Sequence, residues 1–122
     1  MLRYESNGPT VTLTIDDPER RNPMSLETMA ALTHGVVRAT TDDRVRVIVI
    51  TGAGDRAFSA GGDVSGRFVD QPLVDHDQRG KLADLFRAMR RCGKPVIARV
   101  NGHAIAGGFG VAAACDIVIA AD

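Results

Sequence analysis

The stretch KPVIARVNGHAIAGGFGVAAACDIVIAAD (94–122) decides how this chain is read. It begins with a short apolar strand that closes on an Asn-Gly turn at Asn101 and Gly102. Gly107, Gly108 and Gly110 follow, then small apolar residues that read as a helix over 110–115, then DIVIAA (116–121), which reads as another strand. The apolar run 104–121 contains three glycines and Asp116 and is dominated by alanine, which argues against a membrane span. A buried helix followed by a buried strand is the expectation.

Working back from there, the rest of the chain alternates strand and helix in the same way, without repeats or low-complexity tracts. TVTLTID (10–16) sets Val11, Leu13 and Ile15 against threonines, the period of a half-buried strand, and DDPERRNP (16–23) is a polar turn region. Ser25 is placed to cap a helix whose apolar positions Leu26, Met29, Ala30, Leu32, Val36 and Val37 recur at helical spacing. VRVIVITG (45–52) is β-branched and nearly continuous in apolar content, as for a strand covered on both faces, and GAGDRAFSAGGD (52–63) ends it in a loop. A second helix is expected over 77–92, with Leu82, Leu85, Phe86 and Met89 on one stripe.

Composition bounds the function. A length of 122 residues, 44% of them hydrophobic and 25% charged, suits one domain with a modest core. Fifteen basic residues balance fifteen acidic ones, so no long-range field draws the chain to nucleic acid or to an anionic membrane. The N-terminus lacks an apolar core of signal-peptide length, and Cys92 and Cys115 are isolated, without metal or redox spacing. A cytoplasmic protein with no bound metal is the plain expectation.

Three segments, DDPERRNPMS, VRVIVITGAGDRAFSAGGDV and KPVIARVNGHAIAGGFGVAAACDIVIAAD, together resemble the N-terminal half of the enoyl-CoA hydratase/isomerase (crotonase) superfamily, in order and across nearly the whole chain. The resemblance implies an α/β fold, a spiral of ββα units, with residues 1–122 forming an acyl-CoA-binding core that stops before the C-terminal helical part. It implies an acyl-CoA thioester substrate, a place in fatty-acid or related acyl-CoA metabolism, and assembly as homotrimers or hexamers. No separate cofactor is implied, coenzyme A being part of the substrate. It also assigns the N–H groups of Gly62 and Gly107 as an oxyanion hole, with Ala60, Gly61, Asp63, Val64, Gly108 and Gly110 beside the substrate. Arg20 and Arg21 fall in the loop that the family brings near the coenzyme A nucleotide. An uncovered apolar surface on the last helix and strand is a further expectation, since the missing half would cover it.

The chemistry fits the residue type. Enolate formation on a thioester puts charge on the carbonyl oxygen, and backbone donors reach it best where no Cβ intervenes and where a helix start leaves N–H groups unpaired. Read locally, the same glycines could simply make a turn and a close helix contact. Gly110 stands where the hydratases of this family carry the first of two glutamates, and the second would lie beyond Asp122, so plain hydration is disfavoured. The other polar candidates have ordinary readings. His103 could face the acyl pocket or serve structure, and His76 sits in a charged DHD segment. Asp63 is expected to cap the helix after the loop, Asp116 to be structural, and Ser59 to be a plain loop hydroxyl.

Three functions therefore stand: an acyl-CoA lyase or isomerase, a catalytically silent or truncated relative that only binds acyl-CoA or a partner subunit, and a dinucleotide-binding α/β module. The last rests on Gly52, Gly54 and Ala57 in a G-x-G-x-x-A pattern. That fingerprint needs a helix to open directly on the glycines, whereas FSAGGD follows here.

Overall fold

The computed structural model describes residues 1–62 and 72–122. A five-stranded sheet runs in the order β1(Leu2–Asn7), β2(Thr10–Ile15), β3(Val47–Gly52), β5(Val96–Val100), β7(Ile117–Ala120). A small parallel pair, β4(Ala57–Ser59) and β6(His103–Ala104), stands apart from it. Helices α1(Leu26–Thr41), α2(Pro72–Arg91) and α3(Gly107–Ala114) connect the strands. This α/β arrangement agrees with the expected fold class.

Every pairing in the large sheet after the first is parallel, so each needs a crossover, and α1, α2 and α3 lie on the successive crossovers. Ser25 caps α1 as its sequence suggests, its side chain accepting the Thr28 N–H at 3.1 Å. Met29, Leu32, Val36 and Ala39 of α1 join Leu85 and Met89 of α2 over Val11, Leu13, Ile15, Ile48, Ile50, Val96 and Ala98. The Lys94 ammonium closes the far end of α1 by donating to the Ala39 and Asp42 carbonyls at 2.7 and 2.8 Å, a cation where the helix dipole favours one. Asp116 ties the sheet rather than any ligand: its carboxylate accepts the Val96 N–H at 2.8 Å, and its own N–H donates to the Val96 carbonyl.

Several expectations change. Strand β1 was not foreseen, because only Leu2 and Tyr4 of its six residues turn inward and the alternation is too short to read. Asn7 pairs with Thr10, leaving Gly8 and Pro9 as a two-residue hairpin loop. Strand β4 lies inside the segment expected to be loop; its three residues are all buried, yet the glycines around them hid the signal. Helix α3 starts at Gly107 rather than Gly110. Ala30 and Val37 sit outside the apolar face of α1, Val37 at 49% exposure.

The largest correction concerns the final strand, which is exposed rather than buried. Ile117 and Ile119 are 50% and 58% exposed, and Phe109 on α3 is 63% exposed. Val118 between the two isoleucines, on the opposite face, is 51% exposed, so both faces of β7 are open, and its outer edge pairs with no described strand. The expected uncovered apolar surface is thus present. No helix among the described residues is long and apolar enough to cross a membrane.

An uncharged, apolar sheet edge invites pairing with another chain. The 13.0 kDa chain is expected to elute in light-scattering chromatography as species heavier than a monomer, and Ile119→Lys to shift it toward the monomer. A monodisperse wild-type monomer would contradict that.

Candidate active site

Two amide side chains hold the loop between β3 and β4. Asn22 has a left-handed backbone (φ 54°), as asparagine tolerates, and is fully buried. Its Nδ2 donates to the carbonyls of Ala53 and Ala57 at 3.0 and 2.8 Å, and its Oδ1 accepts the Asp17 N–H at 2.9 Å. Asn101 completes the clamp. Its Oδ1 accepts the Gly52 N–H at 3.0 Å, while its Nδ2 donates to the carbonyls of Gly54 and Ala57 at 2.8 and 3.2 Å. Sequence reasoning saw only a turn at Asn101 and nothing at Asn22; the one available signal was an Asn in a proline-bounded polar turn.

Strand β4 then delivers the chain to Gly61 and Gly62. The Ile105 N–H donates to the Ser59 carbonyl at 3.0 Å, the Met24 N–H to the Gly61 carbonyl at 2.6 Å, and the Ala60 N–H to the Arg21 carbonyl at 2.9 Å. Gly61 has φ +88°, and a Cβ there would lie 2.7 Å from the Ile105 carbonyl oxygen and 2.9 Å from the Ala106 Cβ. The loop end therefore rests directly on Ile105 and Ala106. Gly62 and Gly107 each follow that contact by one residue.

The start of α3 leaves one donor open. The N–H groups of Gly108, Phe109 and Gly110 are taken by the carbonyls of Ile105 and Ala106 at 2.9, 3.4 and 3.0 Å. Ala106, in the N-cap place, has φ 48° and ψ −119° and no side-chain oxygen to accept the next N–H. Among the described residues, neither the Gly107 N–H nor the Gly62 N–H has an acceptor. Both lie at an accessible surface, Gly62 exposed and Gly107 half-buried, and Gly107 opens α3, where the helix dipole favours negative charge.

The glycines divide by what surrounds them. Among the described residues a Cβ at Gly62 meets nothing within 4 Å, and one at Gly107 only Met24 at 3.7 Å. A Cβ at Gly108 would come within 2.6 Å of the Ser59 Cβ and carbonyl oxygen, so Gly108 lets α3 lie against β4. Ser59 is not a loop hydroxyl, as expected from sequence, but a fully buried strand residue whose Oγ accepts the Gly61 N–H at 3.2 Å.

The remaining candidates scatter. Ala60 and Gly110 are half-buried near the glycines, and Gly110 faces Phe86, whose Cζ lies 3.3 Å from an ideal Cβ. His103 and Arg21 are exposed, while Arg20 is bound to Asp17 at 2.7 Å. Asp63 and Val64, with the cap expected of Asp63, lie outside the described residues, as does the side chain of His76. Cys115 offers no ready nucleophile: burial, then the nearby Asp116, push its thiol up to about 12. Among the described residues no group of His, Cys, Asp and Glu is arranged to hold a metal. The dinucleotide pattern loses its context, since strand β4 rather than a helix follows Gly52 and Gly54.

An alanine series reads this division directly. Gly108→Ala is expected to cost about 1–3 kcal/mol in denaturant unfolding through overpacking against Ser59, whereas Gly62→Ala and Gly107→Ala stay within about 0.5 kcal/mol of wild type. Equal losses at all three positions would mean that the open pair is packed as tightly as Gly108.

The comparisons with known proteins follow the same geometry. The family model for enoyl-CoA hydratase/isomerase matches residues 5–122. An enoyl-CoA hydratase from Polaromonas sp. JS666 superposes with a TM-score of 0.91 at 36% identity, over 98% of this chain and 48% of that one. One from Mycobacterium avium subsp. paratuberculosis gives 0.86 at 30% identity, over 98% and 46%. Another from Bacillus anthracis gives 0.91 at 26%, over 98% and 46%. The chain spans about half the length of these structures. With a family match over residues 5–122 and a fold superposing on its solved members, the chain belongs to the enoyl-CoA hydratase/isomerase family.

Proposed function

We propose that this chain binds acyl-CoA thioesters and that the N–H groups of Gly62 and Gly107 donate to the thioester oxygen, stabilising the charge that an enolate-like species places there. The carrying observation is the pair of unclaimed N–H groups on either side of the Gly61 contact with Ile105 and Ala106. Two fixed donors cost no reorganisation when charge develops, and each such donor is worth roughly 2.7–4 kcal/mol of barrier in comparable sites. Among the described residues, the open space where each Cβ would lie leaves room for a substrate to approach the main chain.

One observation favours a silent acyl-CoA binder as the second reading. Enolate chemistry also needs a base for the α-proton, and position 110, one turn into α3, is glycine. A carboxylate side chain there would have to press Phe86 aside, since its ring already lies 3.3 Å from the Cβ position. Binding and polarisation can thus exist in this chain without proton transfer. The exposed apolar face of α3 and β7 supports assembly with further subunits, and two unpaired cysteines suit a reducing cytoplasm.

Paired ligands test the first reading without requiring turnover. Acetyl-CoA is expected to bind about tenfold more tightly than its thioether analogue, which lacks the carbonyl oxygen, as two net hydrogen bonds would give. Equal affinities in a calorimetric titration would remove the oxyanion assignment. Crotonyl-CoA should bind while its enoyl absorbance decays only at the solvent rate; rapid decay would refute the silent-binder reading.

A further inference from the structure

Helices α1 and α2 pack side by side, and their outer faces leave a hollow of about 360 Å³ that shares no residue with the candidate active site. Thr33, Val37 and Thr40 line it from α1, and Asp84, Arg87, Ala88, Arg91 and Cys92 from α2. Lys94, just beyond Arg91, donates to the Ala39 and Asp42 carbonyls, so the C-terminal ends of the two helices lie together and the helices run in the same direction. Seven positions separate Thr33 from Thr40 and Asp84 from Arg91, which makes the hollow about 10 Å long.

Its floor behaves as an apolar surface. Thr33 and Thr40 donate their hydroxyls back to the Met29 and Val36 carbonyls at 2.9 and 2.8 Å, and the Cys92 thiol donates to the Lys94 carbonyl at 3.2 Å. These donors are met within the chain and ask nothing of an occupant. Half-exposed Val37 and small Ala88 face each other between them.

Charge marks one end. The Asp84 carboxylate is held by Arg87 at 3.1 Å, and that of Asp42, beyond Thr40, by Arg44 at 3.0 Å. Arg91 meets no carboxylate among the described residues. It shares the last turn of α2 with Arg90, two cations at a helix end whose dipole offsets about half of one charge. We infer that this hollow binds a medium-chain alkyl carboxylate, its head on Arg91 and its chain running over Val37 and Ala88 toward Thr33. The volume lies in the range of small-molecule sites, and the planar guanidinium fork matches the two oxygens of a carboxylate.

Calorimetric titration of the 122-residue chain with octanoate, octanol and octyltrimethylammonium, each below its micelle concentration, tests this. Octanoate is expected to bind at least fivefold more tightly than octanol, and the cation more weakly than either. Arg91→Gln should bring octanoate down to the affinity of octanol, and Val37→Asp should weaken octanoate about tenfold, while Ile119→Lys on the open strand leaves both unchanged. Arg91 is exposed, so its variant carries the test even if circular dichroism shows that the Val37 variant has lost its fold. Equal affinity for the anion and the cation would mean unspecific adsorption and overturn the site. Loss of octanoate binding in Ile119→Lys but not in Arg91→Gln would place the ligand on β7 and overturn it as well, as would the absence of any saturable octanoate binding.

Discussion

One carbonyl oxygen, that of Ala57, accepts hydrogen bonds from two asparagine side chains that come from opposite directions along the chain. Asn22 arrives from the turn before α1 and Asn101 from the turn after β5, so the short strand β4 is gripped between the first and last thirds of the molecule. Buried amides left without partners are costly, which makes this arrangement close to all-or-none. The candidate site hangs from it. Gly62 lies at one end of the segment that begins at Ala57, and Arg56 with His103 lies at the other.

The glycine-rich motif performs two different physical tasks that look alike in sequence. Gly61 and Gly108 are spacers that let backbones touch, and Gly62 and Gly107 carry main-chain donors that no described residue accepts from. Ala106 holds the second task in place at some cost, since a positive φ on a residue with a Cβ is worth of order 1–3 kcal/mol of strain. That strain is met by the contact with Gly61, which only an absent Cβ permits. An ordinary Ser or Asp cap at 106 would instead place an acceptor where the open donors lie.

Elements with a complete period were legible from sequence: β2 and β3 through alternation or a β-branched run, and α1 through its stripe and Ser25. The family resemblance also pointed to Gly62 and Gly107, whose N–H groups find no acceptor among the described residues. What escaped were pieces whose order comes from tertiary contacts. Strands β4 and β6 have three and two residues, too few for any pattern, and exist because Asn22, Asn101 and Ser59 hold them. Burial of β7 was misjudged because composition reports that a strand is apolar, while the neighbour that would cover it is not written in the strand itself.

In the large sheet, spatial order and chain order coincide: β1, β2, β3, β5 and β7 succeed one another outward from one edge. No strand has to slip between two that are already paired. A ribosome releasing this chain from its N-terminus thus supplies each strand when its template is complete, and the sheet can accrete one row at a time. Such growth leaves the newest row sticky until the next arrives. Among the described residues the open edge of β7 is, in that sense, the growing front of the sheet.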